Sequence, residues 1–353
     1  MSSEAAPSPS AGPVTHALSS QVAGHANAVL TTEDDTLLIK QALPLELQFY
    51  QTVAAAAEPE LDALRPFIPK FIGTLSLEGE FDADAPTSET SIAVKPLAGP
   101  RKDSLVLENL AYPFLRPNIL DVKLGTVLYD ESAPPDKIAR MRKTAEATTS
   151  GSTGMRYTGF QVYDNTTGTA MHTSKVYGKS ISAAQLPEGL ARFFPIASAA
   201  PGVSAGTEPP LNQGLPAALL HPILELLRED IADIRDALSA LEMRLVGTSL
   251  LILYESDPVR AEEGVKWMLD DERSSSSHSS LDDDDSDSDD EGDAADGKPK
   301  KPRKPTPPCD VRLIDFAHTR FVPGQGPDEG VLLGLDTFLR LMDERIEVVA
   351  RCL

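Results

Sequence analysis

The period at which apolar residues recur changes along this chain, and those changes divide it into elements. "DDTLLIKQAL" reads as an extended run led in by an acidic turn, and "PLELQFYQTVAAAA" as a helix with Leu45, Phe49 and Val53 four residues apart. "FIPKFIGTLSL", "SIAVKPL" and "DSLVLENL" read as further strands, so the first hundred or so residues predict a small sheet with one helix. "PNILDVKLG", residues 117–125, is a strand that ends at a glycine. In "DKIARMRKTAEA", a helix opening at Pro134 and Pro135, Ile138, Met141 and Ala145 share one face, and Lys137, Arg140 and Thr144 share another. "MRYTGFQVYDN" and "SKVYGKSI" alternate like two paired strands. "ILELLREDIADIRDALSALEMRLVG" is the clearest helix, with Leu227, Ile231, Ile234, Leu238, Leu241 and Leu245 spaced by four and three and Gly247 closing it. "TSLLILYE" predicts a buried strand, "DVRLIDFAHTRF" another, and a helix from about 332 closes the pattern.

Two stretches carry no such pattern. Residues 1–14 are rich in Ser, Ala and Pro, and about 272–308 are rich in Ser, Asp, Lys and Pro; both predict disorder. The expected organisation is a tail (1–14), a sheet-based lobe (15–112) and a larger mixed lobe (113–353) holding a basic helix at about 134–147 and an acidic insertion.

Composition changes this picture in one respect. The net charge of −22 suggests a protein that repels phosphates, yet residues 282–296 hold ten acids and no base, and setting them aside brings −22 to −12. Local cations therefore have to be judged locally, because fields near a site follow nearby charges. Two cysteines, Cys309 and Cys352, make no disulfide framework and point to a reducing compartment. The N-terminus lacks the basic and apolar regions of a signal peptide, and no apolar run approaches the roughly 18 residues of a membrane span.

Several residues suit chemistry. Asp121 and Lys123 lie two apart on one strand and so share a face, either as a surface ion pair or as the centre of a site. Asp315 follows an apolar strand into a loop, which is how kinases present a magnesium-binding carboxylate, although Ala317 stands where their glycine would be. Lys40 ends an apolar strand and Glu46 opens the next helix, the order of the kinase lysine and glutamate. No Gly-x-Gly-x-x-Gly precedes Lys40 and no His-Arg-Asp loop exists, so a protein kinase is disfavoured. Lys137, Arg140, Arg142 and Lys143 make a cluster suited to a small, highly phosphorylated ligand. Direct nucleic-acid binding is not expected, because the basic stretch is short and little aromatic residue is interleaved with it.

Taken together, these motifs resemble the inositol polyphosphate kinase family. "PNILDVKLG" fits its Pro-x-x-x-Asp-x-Lys-x-Gly signature, Ser249, Leu250 and Leu251 its Ser-Leu-Leu element, and Ile314, Asp315 and Phe316 its Ile-Asp-Phe element. "LLIKQALPLELQFY", "TTSGSTGMRYTGFQVY" and "GPDEGVLLGL" are similar to further family stretches. The resemblance implies an α+β, two-lobed kinase-like fold of the inositol polyphosphate kinase and SAICAR synthase-like type. It implies ATP and Mg²⁺, with the backbone of Glu108 and Leu110 on adenine, Asp121 on the ribose, Lys40 on the phosphates, Ser249 near them, and Asp315 on the metal. Lys123 would lie beside the acceptor hydroxyl and the transferred phosphoryl group, and Lys137, Arg140, Lys143 and His318 would hold the inositol phosphate. Neither the calmodulin-binding segment nor the larger substrate-binding insertion usual in the trisphosphate 3-kinases is evident. A compact chain with an acidic insertion between the last two motifs is most similar to the fungal multikinase branch, which takes inositol trisphosphate and tetrakisphosphate towards pentakisphosphate. The alternatives are a hexakisphosphate kinase making pyrophosphates, or mainly a nuclear adaptor of transcription complexes. The branch implies a monomer in nucleus and cytoplasm; "GKPKKPRKP" reads equally as an import patch or as counter-charge to the acidic run.

Overall fold

A computed structural model describes residues 15–18, 22, 29–55, 59–76, 79–81, 94–96, 103–197, 214–275 and 306–353. In chain order its first part holds β1 (Thr15–Ala17), β2 (Val29–Thr32), β3 (Leu37–Gln41), α1 (Pro44–Ala54), β4 (Phe71–Ser76), β5 (Gly79–Phe81), β6 (Val94–Pro96) and β7 (Asp103–Glu108). Five of these strands form an antiparallel sheet in the order β1-β2-β3-β7-β4, and β5 pairs with β6 alone. The turn into β3 is made by Asp35 with φ +60°, the conformation that Asp tolerates better than most residues. Pro44 starts α1, where its missing N–H costs nothing. The buried face of α1 is Glu46, Phe49, Tyr50 and Val53, so Leu45, expected in the core, is exposed and a carboxylate takes the inward position. The run expected as a strand from Phe67 begins only at Phe71, after a 3₁₀ turn over Arg65–Phe67.

The second part contains β8 (Pro117–Leu124), α2 (Pro135–Glu146), α3 (Thr149–Thr153), β9 (Met155–Asp164), β10 (Thr169–Thr173), α4 (Lys175–Ser180), α5 (Leu186–Phe193), α6 (Ala217–Ser239), β11 (Met243–Val246), β12 (Ser249–Glu255), α7 (Pro258–Ser275), β13 (Cys309–Ile314), β14 (His318–Phe321) and α8 (Glu329–Ala350). Its main sheet is antiparallel in the order β10-β9-β8-β12-β13, and β11 with β14 forms a two-stranded ribbon. One face of the main sheet, with Leu120, Val122, Leu250, Ile252, Val311 and Leu313, is buried in a core shared with α6 and α8. The other face looks towards the first part of the chain. The architecture is a two-lobed α+β fold of antiparallel sheets.

Several expectations are corrected here. The partner of β9 is β10, whereas "SKVYGKSI" is helical: the Ser174 hydroxyl caps the Val176 N–H, and Gly178 packs where any Cβ would strike the Tyr157 carbonyl. The long helix ends at Ser239; Leu241 and Leu245 are buried as expected but lie beyond it, Leu245 in β11, and Gly247 closes that strand at φ +87°. "DVRLIDFAHTRF" is two strands broken at Asp315. In α2 only Ala145 is buried, so the apolar face expected of Ile138 and Met141 is only half-covered. The helix α7 was not anticipated and runs four residues into the expected insertion, while the closing helix starts at Glu329. Residues 1–14 and 276–305 lie outside the described residues.

Candidate active site

The cleft-facing side of the main sheet is a grid of three rows. Lys123, Ser249 and Ile314 are in register across β8, β12 and β13; Asp121, Leu251 and Arg312 form the next row; Ile119, Leu253 and Asp310 the third. Strand alternation thus places Asp121 and Lys123 side by side, both partnered on β12 by the Ser-Leu-Leu segment. They are not a simple ion pair. The Asp121 carboxylate is buried and accepts a 2.7 Å hydrogen bond from the Thr158 hydroxyl, while Lys123 Nζ donates at 2.6 Å to the Gly247 carbonyl. Burial pushes the Asp121 acid up from its ordinary value, against the opposing pull of Lys123 and Thr158. The Ser249 hydroxyl is fully buried in the adjacent position, near enough to favour the Asp121 charge, and makes no hydrogen bond of ordinary geometry among the described residues.

Next to these polar groups lies a small apolar cluster of Leu110, Phe114, Ile119 and Leu253, with Val22, Ala111, Leu251 and Ile314 packed against it. It is separate from the main core and sits between the lobes beside Asp121, which suits a flat base with its sugar against the carboxylate. Leu110 is part of it, and Glu108 ends β7 with its N–H given to the Lys70 carbonyl at 3.1 Å. The sequence reading missed Val22, Ile119, Leu251, Leu253 and Ile314. The period-two alternation through Ile119, Asp121 and Lys123, and through Ser249, Leu251 and Leu253, was the available signal.

Across the cleft, Lys40 Nζ on β3 donates to Glu46 Oε1 at 2.8 Å and to Asp315 Oδ1 at 2.6 Å. Glu46 is buried, which explains why α1 turns a carboxylate inward: it is half of the countercharge for a largely covered lysine. Burial opposes the Lys40 charge, but the Asp315 and Glu46 carboxylates outweigh it and raise its pKa. Asp315 has φ +65°, a strained setting for a non-glycine residue that turns its side chain out of the strand line. Phe316, fully buried, stacks on Phe49 of α1 at 4.1 Å between ring centroids, fixing the loop on the helix that carries Glu46.

The cations form the other side of the site. Arg140 and Lys143 of α2 line a cavity of about 330 Å³ together with Thr144, Ala147, Thr148 and Lys179 of α4. Beneath it, Arg156 on β9 stands directly opposite Lys123, is 6% exposed, and reaches the Thr148 hydroxyl at 3.4 Å. Its Nε has no partner, no ion pair to it occurs among the described residues, and burial pushes its pKa down. Like charges held opposite one another in a sheet destabilise it unless an anion lies between them. Arg156 and Lys179 were missed because neither lies on the basic helix; only tertiary structure joins them to it. Lys137, at the start of α2, and His318, at the start of β14, are half-buried and do not line this cavity.

The donor set can be tested against a nucleotide and a divalent ion. Asp315 projects into the cleft with a 43%-exposed side chain, and the buried Ser249 hydroxyl and Asp121 carboxyl lie on the facing sheet. Among the described residues no group of three or more His, Cys, Asp or Glu side chains forms a metal cage. An ion at Asp315 therefore needs phosphate or water oxygens as well, which is how a hard divalent cation is held beside a nucleotide. The residues fit.

Two lobes, an inter-lobe lysine–carboxylate network, an apolar slot and a basic cavity on one sheet face define an enzyme of phosphoryl transfer with a kinase-like architecture. A family model described as inositol polyphosphate kinase matches residues 104–343. The inositol polyphosphate multikinase of Saccharomyces cerevisiae is 31% identical over 364 residues, 91% of this chain and 96% of that protein. The multikinase of Schizosaccharomyces pombe is 31% identical over 67% of this chain and 77% of its own, and inositol hexakisphosphate kinase 1 of Rattus norvegicus 29% over 68% and 51%. A crystal structure of the inositol phosphate multikinase Ipk2 from S. cerevisiae, in complex with ADP and Mn²⁺, superposes with a TM-score of 0.57 at 27% identity, covering 88% of this chain and 99% of that one. The chain belongs to the inositol polyphosphate kinase family.

Proposed function

We infer that this protein is an ATP-dependent inositol polyphosphate multikinase, phosphorylating inositol trisphosphate and then tetrakisphosphate towards pentakisphosphate. The observation that carries this reading is the buried Arg156, without an ion pair among the described residues, set opposite Lys123 beneath Arg140, Lys143 and Lys179. A strongly acidic chain concentrates five cations on one wall of its cleft only if a polyanion belongs there. The near full-length match to the S. cerevisiae multikinase favours this branch over the hexakisphosphate kinases, of which the chain spans about half the length.

In this reading adenine occupies the slot at Leu110, Ile119 and Leu253 against the Glu108–Leu110 backbone, and the ribose meets Asp121. Lys40 holds the nucleotide phosphates, Ser249 lies beside them, and Asp315 holds the divalent ion, proposed to be Mg²⁺. The ion supplies positive charge to the phosphates and to the group in flight. Lys123 lies where donor and acceptor meet, neutralising the equatorial oxygens as the acceptor hydroxyl is aligned. Lys137, Arg140, Lys143, Lys179, Arg156 and His318 orient the inositol ring by its phosphates. Positioning and charge compensation are the whole task, so no strong base is required.

Incubation of the pure protein with Mg-ATP and inositol trisphosphate, followed by anion-exchange separation, is expected to give tetrakisphosphate and then pentakisphosphate. Inert trisphosphate together with turnover of hexakisphosphate overturns the multikinase assignment. We also propose, from the likeness to the multikinase branch, a nuclear and cytoplasmic monomer whose acidic segment contacts transcription-complex proteins; the part given to the segment rests on the composition of 282–306, and a tagged segment-deleted protein with unchanged distribution and partners removes it.

A further inference from the structure

The helix α2 poses a problem of mechanics. It carries Lys137, Arg140 and Lys143, yet of its twelve residues only Ala145 is buried. A helix with so little apolar face is not placed by packing, because most helical stability in proteins comes from a buried stripe. Its C-terminal end is held by α3. Its N-terminal end hangs from the loop that leaves Lys123, residues 125–134; the Gly125 N–H ties the start of that loop to the Gly154 carbonyl at 2.7 Å, and a buried acid anchors its middle.

The anchor is Asp130, 8% exposed. Its Oδ1 accepts from the Ser132 N–H at 2.8 Å and the Ser132 hydroxyl at 2.6 Å, and its Oδ2 lies 3.3 Å from Arg320 Nη1 on β14. Glu131 takes the other Arg320 nitrogen at 3.1 Å. Strand alternation puts Arg320 on the same face of β14 as His318, two residues earlier. On the other side of Asp130, the Tyr129 hydroxyl accepts from Arg142 of α2 at 3.4 Å, and the Arg142 guanidinium lies 5.9 Å from the centre of the Tyr129 ring. A continuous chain therefore runs from His318 and Arg320 through Asp130 and Tyr129 to Arg142 and the basic helix.

We propose that Asp130 is the positioning residue of the inositol phosphate pocket, fixing the spacing between the α2 cations and the β14 strand that carries His318. It touches no substrate. The Ser132 hydrogen bonds, then the charges of Arg320 and His318, hold its carboxyl below the usual range, so it stays ionised through neutral and mildly acidic pH. Its loss lets α2 swing about its C-terminal attachment, and the phosphate grips move relative to Lys123.

The proposal rests on the reading of α2 as a substrate helix, and steady-state kinetics with ATP and inositol trisphosphate separate the two. Wild-type protein that does not turn over inositol trisphosphate sinks the functional reading. With an active wild type, Asp130→Asn, which keeps the shape and an acceptor for Ser132, is expected to raise KM for inositol trisphosphate about tenfold and leave KM for ATP unchanged. That is a fraction of the roughly 10²-fold that a 1 Å misplacement costs. Arg320→Ala is expected to do the same, the double variant to be no worse than either single one, and Arg320→Lys to recover part of the loss. Equal changes in both KM values, additive effects, or a lowered Tm with unchanged KM overturn it. If Asp130→Asn does not fold, Arg320→Lys, at a half-buried guanidinium, and Arg142→Ala, at an exposed one, carry the same comparison.

Discussion

Arg156 concentrates the conflict between stability and function in one side chain. It is buried, opposed to Lys123, and unpaired among the described residues, the arrangement expected to cost a folded protein when no anion is present. Arg156→Met keeps the length and apolar stem while removing the charge. Expected are an unchanged or higher Tm without ligand, a KM for inositol phosphate raised at least tenfold, and loss of the thermal shift that the ligand gives the wild type. A lower Tm with unchanged KM would mean that Arg156 is structural. The two residues proposed for phosphoryl transfer call for a different test. Lys123→Ala and Asp315→Asn remove charge at the reacting phosphate and are expected to lower kcat by about 10²–10³. Asp315→Asn also strips Lys40 of one of its two carboxylates, so KM for ATP should change with it, whereas Lys123→Ala should leave ATP binding intact. Full activity in either variant refutes the assignment.

Between elements, what matters is which faces meet, and here the sequence was unevenly legible. The strands carrying the site were legible because each has a simple apolar period and is bounded by a glycine: "PNILDVKLG" ends at Gly125 and "TSLLILYE" begins after Gly247. Glu46 was legible as a kinase-like glutamate, but its inward turn was not, since the apolar spacing nominated Leu45. The helical fate of "SKVYGKSI" and the packing of α8 depend on contacts that no local pattern shows. Gly334 lies so close to Gly154 that a Cβ would stand 2.2 Å from its carbonyl oxygen, directly behind the end of β8. Electrostatics between α6 and β13 were equally hidden. Asp230, partly buried near Asp310, Asp233 and Glu229 and offset in part by Arg312, is pushed up to about 6 by burial first and by those carboxylates second. An acid that binds its proton more tightly when folded loses stability as pH rises from its unfolded value near 3.8 to about 6, and the loss persists above that. Asp230→Asn is therefore expected to raise Tm at pH 7 by about 2–4 °C and to have no effect below about pH 4. An equal gain at both pH values would show that charge is not the cause.

At the scale of the whole molecule, the charge that dominates the composition is separable from the site. The stretch 276–305 holds ten acids and five bases. Its two ends are fixed on one helix. α7 runs to Ser275, and the returning chain is caught at Thr306, whose hydroxyl accepts from Arg260 Nη2 at 3.1 Å and whose carbonyl oxygen lies 2.8 Å from the Cβ position of Gly264. From Ser275 back to Gly264 the helix covers about 16 Å, which about five extended residues span. A ten-residue Gly-Ser linker therefore replaces 276–305 without strain. At physiological salt, exposed charges act over about 8 Å, so this segment's field does not govern the basic wall unless it lies against it. The linker variant is expected to keep kcat and both KM values within about twofold at 0.15 M salt, because no residue of the cleft network belongs to the segment. A several-fold fall in KM for inositol phosphate that disappears at high salt would show instead that the acidic run competes with the substrate for Arg140, Lys143 and Lys179.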